Sequence, residues 1–492
     1  MVTFRSDISK KNYHSRKGVN LLTYRTEKDS LGEKLVPLEA YYGIQTLRAI
    51  ENFPISGTPI HNEIVSALAE IKKAAAVANM KTRMLNTKIG NNLIKAADEI
   101  KSGKFNDQFL VDAIQGGAGT SINMNMNEVL ANLALEYMGK EKGDYFHCSP
   151  NNHVNMSQST NDTVPTAIKI AAYKLTIELV NNLSSLIDGF EKKAHEFDAV
   201  IKLGRTHLQD AVPIRLGQEF NAYCEVLRRD KERILFASKG LLAINLGATA
   251  VGTGLNANLD YIETVTTELI DQVNIPLYTA HNLVDSTQNT DSYTSLSANL
   301  KVFSLNLSKI CNDIRLMASG PNAGLNELSL PPRQPGSSIM PGKVNPVVVE
   351  VVNQTAFQVI GNDQTISMAS EAGQFELNVM VPVLAHNLLQ SLKILKNAID
   401  VFHRYVVINM KANIEMCNEY IENSYGVITA LNPHLGYEKA ASIVKEAIRT
   451  NQTIIEVCEE WGLFTNGELK DILDPIEMTT PGISGSRFLV KN

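Results

Sequence analysis

The chain has 492 residues, 44% of them apolar and 20% charged, with Lys+Arg 46 against Asp+Glu 52 and a formal net charge of −6. A chain of this size buries a large core without metals or disulfides, and at about 150 residues per domain it has room for about three domains. The lack of a basic excess speaks against a nucleic-acid partner, and no apolar run approaches the about 20 residues of a membrane span.

Residues 1–25 carry Arg5, Lys10, Lys11, Arg16, Lys17 and Arg25 but no apolar segment of the kind a secretory signal needs. They read as a loose extension outside the fold, with an organelle transit peptide as the alternative. Residues 26–161 read as an N-terminal domain of mixed character with long polar, Gly-rich turns. Residues 162–415 read as a central helical bundle. Residues 416–492 make a small C-terminal helical domain, punctuated by Asn432-Pro433, Gly462 and Pro481-Gly482.

The bundle helices follow from apolar spacing. Ile168, Ala172, Leu175, Leu179, Leu183, Leu186 and Phe190 form one stripe, behind a cap at Asp162 or Thr163 and with Pro165 in the first turn. A long run without proline covers 218–245. Leu296, Leu300, Phe303, Leu307, Ile310, Ile314 and Met317 are spaced alternately by four and three, and Gly320-Pro321 stops that helix. Leu388, Leu392, Leu395, Ile399, Phe402 and Val406 repeat the pattern. Helices of about 28 residues are about 42 Å long and pack as an extended bundle. Strand signals are few, so the expected fold class is all-α. Heptads on more than one face leave apolar surface for a second copy, which predicts a homo-oligomer. Cys148, Cys224, Cys311, Cys417 and Cys458 are odd in number and form no C-x-x-C pair, which fits reduced thiols in a cytoplasmic protein.

Four polar islands interrupt the apolar pattern. The first, Gly116 to Asn125, combines glycines with Thr120, Ser121 and Asn123; it reads first as a capped turn, with a set of neutral donors around a ligand as the alternative. It lacks the Gly-Lys-Ser/Thr of a phosphate loop. The second, Ser157 to Asp162, opens a long helix, where an N-terminal cap and an anion site draw on the same free N–H groups. The third is Gly204-Arg205-Thr206-His207-Leu208-Gln209-Asp210, with one histidine that is structural or ligand-facing. The fourth spans 320–346, holds six prolines and joins two apolar helices, and a loop of that length is commonly functional. Within it Lys343 offers a cation, Asn345 an amide, and Ser337 and Ser338 follow a glycine hinge. The islands are rich in hydroxyls and amides and poor in carboxylates. No metal-ligand spacing or dinucleotide fingerprint accompanies them. Such a set suits a cofactor-free enzyme acting on a small polyanion of dicarboxylate type.

The block Gly336-Ser337-Ser338-Ile339-Met340-Pro341-Gly342-Lys343-Val344-Asn345-Pro346 resembles the signature of the aspartase/fumarase superfamily, and the other islands are similar to its further blocks in the same order. The likeness runs from about residue 29 to 485. Gly117-Ala118-Gly119-Thr120-Ser121 and Ser159-Thr160-Asn161 resemble the aspartase branch, since class II fumarases place Gln after that Thr and carry Ser-Ser-Asn. Ala40-Tyr41-Tyr42-Gly43 and residues 354–363 look aspartase-like too, while His207 does not discriminate. Asn322, Val349 and Val381 depart from the family pattern.

The resemblance implies a three-domain all-α fold whose bundles associate into a multi-helix core, in a homotetramer with each active site drawn from three subunits. It implies reversible anti elimination of ammonia from L-aspartate through an aci-carboxylate, with no cofactor or metal in the chemistry. Ser337 would be the general base. Thr120, Ser159, Thr160 and Ser338, with Ser121 beside them, would hold the β-carboxylate. Thr206, Lys343 and Asn345 would hold the α-carboxylate, and Asn161 and His207 would lie near the amino group. A class II fumarase is the nearest rival. A catalytically silent structural member, like the lens crystallins of this superfamily, is disfavoured by the intact Ser337, Lys343, Asn345, Thr206 and Ser159.

Overall fold

The computed structural model describes residues 23–489. Residues 1–22 of the basic extension lie outside that range, but its last residues do not behave as a tail. Strand β1 (Tyr24–Asp29) pairs antiparallel with β2 (Gly32–Pro37). The Arg25 guanidinium donates to Glu27 Oε1 at 2.8 Å and to the carbonyls of Pro37, Ala40 and Tyr42. An arginine satisfied by that many acceptors is part of the fold, so the expectation of a loose segment through residue 25 is corrected there.

Helices α1 (Ile44–Asn52), α2 (Asn62–Lys81), α3 (Thr87–Lys101) and α4 (Thr120–Tyr137) follow. The segment expected to be mixed is thus chiefly helical. Every residue of α4 from Ile122 to Leu135 is buried, so no polar face exists to produce an amphipathic stripe.

The central bundle consists of α5 (Thr160–Glu196), the hairpin β3 (Ile201–Thr206) and β4 (Gln209–Arg215), α6 (Leu216–Ser238), α7 (Leu259–Val273), α8 (Leu283–Gln288), α9 (Asp291–Met317), α10 (Val347–Glu371) and α11 (Val381–Tyr405). The stripe from Leu296 to Met317 is buried throughout, as its heptad spacing requires. Neighbouring helices close a ring: α5 packs on α6 and α11, α9 on α6 and α10, and α10 on α11. Helix α6 stops at Ser238 rather than running to 245. A 3-10 turn (Lys239–Leu242) containing Gly240 follows, where an α-helical glycine would cost about 1 kcal/mol relative to alanine. Helix α10 is apolar on two faces: Val352 and Val359 are buried, while Val351, Phe357 and Met368 are exposed. That outer face leaves apolar surface uncovered, on a helix whose apolar spacing does not single it out.

The C-terminal helices have a core of their own, built on Leu431, Ile443, Val457, Leu469 and Ile472. All five cysteines are buried and unbridged. Among the described residues no helix is long and apolar enough to cross a membrane.

The bundle has two ends, and they sort the polar islands. Helix α5 has 37 residues, which at 1.5 Å per residue separates its termini by about 55 Å. Tyr293 Oη donates to the Pro165 carbonyl at 3.0 Å, and Thr290 and Ser370 share a hydroxyl contact of 2.6 Å. The starts of α5 and α9 and the finish of α10 therefore share one end. At the other, Lys193 Nζ donates to the Met410 carbonyl at 2.8 Å, and Arg205 meets Glu327.

Candidate active site

The first two islands form the N-termini of α4 and α5, side by side. Thr120 opens α4 after Gly117 and Gly119, whose φ angles of 90° and 89° favour glycine. A Cβ on Gly119 would stand 2.9 Å from Val164 Cγ1, so α4 starts pressed against α5. Two helix N-termini then present unpaired N–H groups and partial positive charge to one region. Thr120 is exposed, its hydroxyl donating to the Gly117 carbonyl at 2.8 Å. Ser121 is half-buried and lines a cleft of about 650 Å³ with Arg48, Glu128 and Tyr145.

The cap of α5 is Ser159, not Asp162 or Thr163. Ser159 Oγ accepts the Asn161 N–H at 3.2 Å, and Asp162 Oδ1 accepts the Ser159 N–H at 2.9 Å. Ser159 and Asp162 thus form a capping box, in which an acid three residues past the cap returns a bond. Asp162 Oδ2 also accepts the N–H groups of Gly247 and Thr249, while burial pushes its carboxyl up to about 7. Thr160 Oγ1 accepts from Asn123 Nδ2 at 3.3 Å, and Asn161 Nδ2 donates to the Ala250 carbonyl at 2.7 Å.

The third island is the tip of the β3–β4 hairpin, with Thr206 and His207 exposed. His207 and Leu208 have φ of 56° and 59°, the left-handed pair of a two-residue hairpin turn. Neither is glycine, so the tip carries backbone strain of the kind found at functional positions. Pro213 pairs with Leu203 inside the two-stranded ribbon. At the base, Arg205 Nη1 donates to Glu327 Oε1 at 2.7 Å; Glu327 is fully buried and Lys202 Nζ lies 3.4 Å from its other oxygen.

In the fourth island Ser337 Oγ accepts the backbone N–H of Ile339 at 3.2 Å and of Met340 at 3.0 Å. Two amides aimed at one oxygen favour its anionic form. The segment is clipped shut: Gly336 N–H donates to the Lys343 carbonyl at 2.8 Å and Asn345 Nδ2 to the Gly336 carbonyl at 2.8 Å. A Cβ on Gly336 would stand 2.6 Å from the Lys343 carbonyl oxygen and 2.9 Å from the Asn345 nitrogen. Gly336→Ala should therefore open the clip, lowering kcat/KM more than about tenfold while the melting temperature moves only a few degrees; paired kinetics and thermal melts check this. Ser338 and Lys343 are exposed. Lys343 and Asn345 line a cleft of about 790 Å³ with Arg315 and Glu350. Neither Arg315 nor Glu350 belongs to a polar island; both sit at helix ends flanking the loop, and charge at those ends is the one signal pointing to them.

Within one chain these residues do not converge. Thr120, Ser159, Thr160 and Asn161 lie at one end of the bundle, and Thr206, His207, Ser337, Ser338, Lys343 and Asn345 at the other. Among the described residues no hydrogen bond joins the hairpin tip to the 336–346 segment. The first two islands and the Ser337–Lys343 segment are thus separated by roughly the length of α5, about 55 Å.

A family model described as lyase matches residues 32–361, and one described as fumarase C C-terminus matches 427–480. An aspartate ammonia-lyase of Bacillus subtilis (strain 168) is 60% identical over 95% of this chain and 98% of its own. One of Escherichia coli (strain K12) is 47% identical over 94% and 98%. A crystal structure of fumarate lyase:delta crystallin from Brucella melitensis bound to cobalt has a TM-score of 0.90 and 47% identity, covering 93% of this chain and 100% of that one. A recombinant class II fumarase from Schistosoma mansoni has a TM-score of 0.88 but 35% identity, at 93% and 100% coverage. With this fold, this order of islands and identity that falls from the aspartate ammonia-lyases to the fumarase, the chain belongs to the aspartase/fumarase superfamily and is a carbon–nitrogen lyase of its aspartate ammonia-lyase branch.

Proposed function

We propose that the protein catalyses the reversible anti elimination of ammonia from L-aspartate to give fumarate. The relatives support the substrate; the observation that carries the chemistry is Ser337 Oγ held by the Ile339 and Met340 N–H groups. Ser337, as the alkoxide, takes a proton from the carbon next to the β-carboxylate. The C–H electrons move onto that carboxylate, giving it a second negative charge. They then form the C=C bond as the C–N bond breaks and ammonia leaves with its electron pair.

The unfavourable step is the build-up of that dianion. Thr120, Ser159, Thr160 and Ser338 donate to it, beside the N-termini of α4 and α5, and one preorganised donor of this kind is worth about 2.7–4 kcal/mol. Lys343, Thr206 and Asn345 hold the α-carboxylate, whose charge does not change during the reaction. Asn161 and His207 lie near the amino group. Closure of the 336–346 segment excludes water and keeps the serine anion from being protonated. This chemistry calls for no cofactor.

The two separated sets of residues meet only if chains pack side by side and antiparallel, so that one bundle's donor end lies against another's Ser337 end, which supports a homotetramer with each site drawn from three subunits. The exposed apolar face of α10 supplies surface for that association. We place the enzyme in the cytoplasm, in keeping with its unbridged thiols. Ultraviolet detection of fumarate, formed separately from L-aspartate and L-malate, tests the reading. Fumarate should form readily from aspartate and at least about 1,000-fold more slowly from malate, because a site hydrogen-bonding an amine rejects its replacement by hydroxyl. Comparable turnover of malate would make the protein a fumarase.

A further inference from the structure

Lys72, in the middle of α2, is an ammonium only 3% exposed, and among the described residues no carboxylate comes within ion-pair distance of it. Its Nζ donates to Asn155 Oδ1 at 3.1 Å and Gln158 Oε1 at 3.0 Å. Asn155 Oδ1 also accepts from Asn123 Nδ2 at 3.0 Å and Asn127 Nδ2 at 3.1 Å. Asn123 Nδ2 reaches on to Thr160 Oγ1 at 3.3 Å. The cation is thus three consecutive hydrogen bonds from one β-carboxylate donor, and Gln158 directly precedes another, Ser159. The carboxylate nearest in effect, Asp162, is engaged by the N–H groups of Ser159, Gly247 and Thr249.

A buried charge with only neutral partners is unfavourable, and proteins normally pair it or replace it. Packing does not require a lysine here: the positions beside it on the helix face, Leu68, Ala69, Ala75 and Ala76, are apolar and buried, and a methionine would occupy similar volume. The charge lies behind the place where the N-termini of α4 and α5 converge, and all three fields have the sign that favours an anion. In a low-dielectric interior such a charge acts over several ångströms without touching the anion. Burial depresses the ammonium to about 7, with the charge of Asp162 acting in the opposite direction.

We infer that Lys72 is a positioning residue of the proposed reaction: a buried cation that fixes Gln158 to Thr160 and offsets the second negative charge on the substrate's β-carboxylate. The inference rests on the elimination proposed above. Because the β-carboxylate is a monoanion on binding and approaches a dianion at the barrier, loss of the cation should fall on kcat rather than KM.

Lys72→Met and Lys72→Gln in the full-length protein test it, through kcat and KM for L-aspartate, thermal midpoint and oligomer mass. The expected result is a kcat lowered by about 100-fold with KM within about threefold, and a midpoint equal to or above the parent's, since an uncompensated charge has been removed. A folded variant with kcat within about threefold of the parent overturns the inference. So does activity lost only in proportion to folded protein, or failure of both variants to fold, because the lysine would then serve the fold. A parent that forms no fumarate from L-aspartate sinks the proposed reaction instead, whatever Lys72 does.

Discussion

Ser337→Ala is expected to lower kcat on L-aspartate by at least about 1,000-fold while KM moves less than about threefold. The hydroxyl is half-buried on a clipped segment, and its oxygen receives two backbone N–H groups. Those amides do little for a neutral hydroxyl and much for an alkoxide, so their effect concentrates on the base step. Alanine removes the proposed base and leaves Lys343, Asn345 and both helix N-termini untouched. Steady-state kinetics together with calorimetric titration of fumarate separates the two quantities. A variant that bound fumarate normally and kept a kcat near the parent's would show that another group removes the proton.

Lys343→Met should give the opposite split, raising KM for L-aspartate by about 100-fold with a smaller loss in kcat. A charge-assisted bond to a carboxylate that becomes buried is worth about 2–5 kcal/mol when its partner is deleted. The α-carboxylate carries the same charge in substrate and transition state, so the loss is mainly one of uniform binding. The free side chain is exposed, with no ion pair of its own among the described residues, so the substitution costs the fold little. Should kcat fall as far as it does for Ser337→Ala with KM unchanged, Lys343 acts on the developing charge and not on the α-carboxylate.

Where an element keeps one polar and one apolar face, its residues announce it. The heptads of α9 and α11 are buried as their spacing requires. Helices α4 and α10 were not legible in this way, because α4 is buried all round and α10 is apolar both inward and outward. The cap of α5 was misplaced by three residues, since Asp162 fits a cap locally and only its bond back to Ser159 reveals a capping box. The eleven-residue block drew attention to Ser337, Lys343 and Asn345, and the islands to the hydroxyls and amides proposed as donors. Glu327 was not legible, because its meaning lies in Arg205, 122 residues away. Lys72 was silent for the same reason: in the Ala-rich run of α2 it looks like an ordinary surface lysine, and only the fold buries it.

With the proposed donors at one end of the bundle and the proposed base at the other, subunit sharing is the central claim, and a mixing experiment tests it directly. Ser159→Ala and Ser337→Ala chains, each nearly inactive alone, are denatured, combined in equal amounts and refolded together. If each site takes its donors and its base from different chains, random assembly gives about a quarter of the sites both intact, and about a quarter of the parent's activity returns. Activity no greater than the sum of the two separately refolded variants, in an assembly of confirmed mixed composition, would mean that each site is built within one chain, contrary to this account.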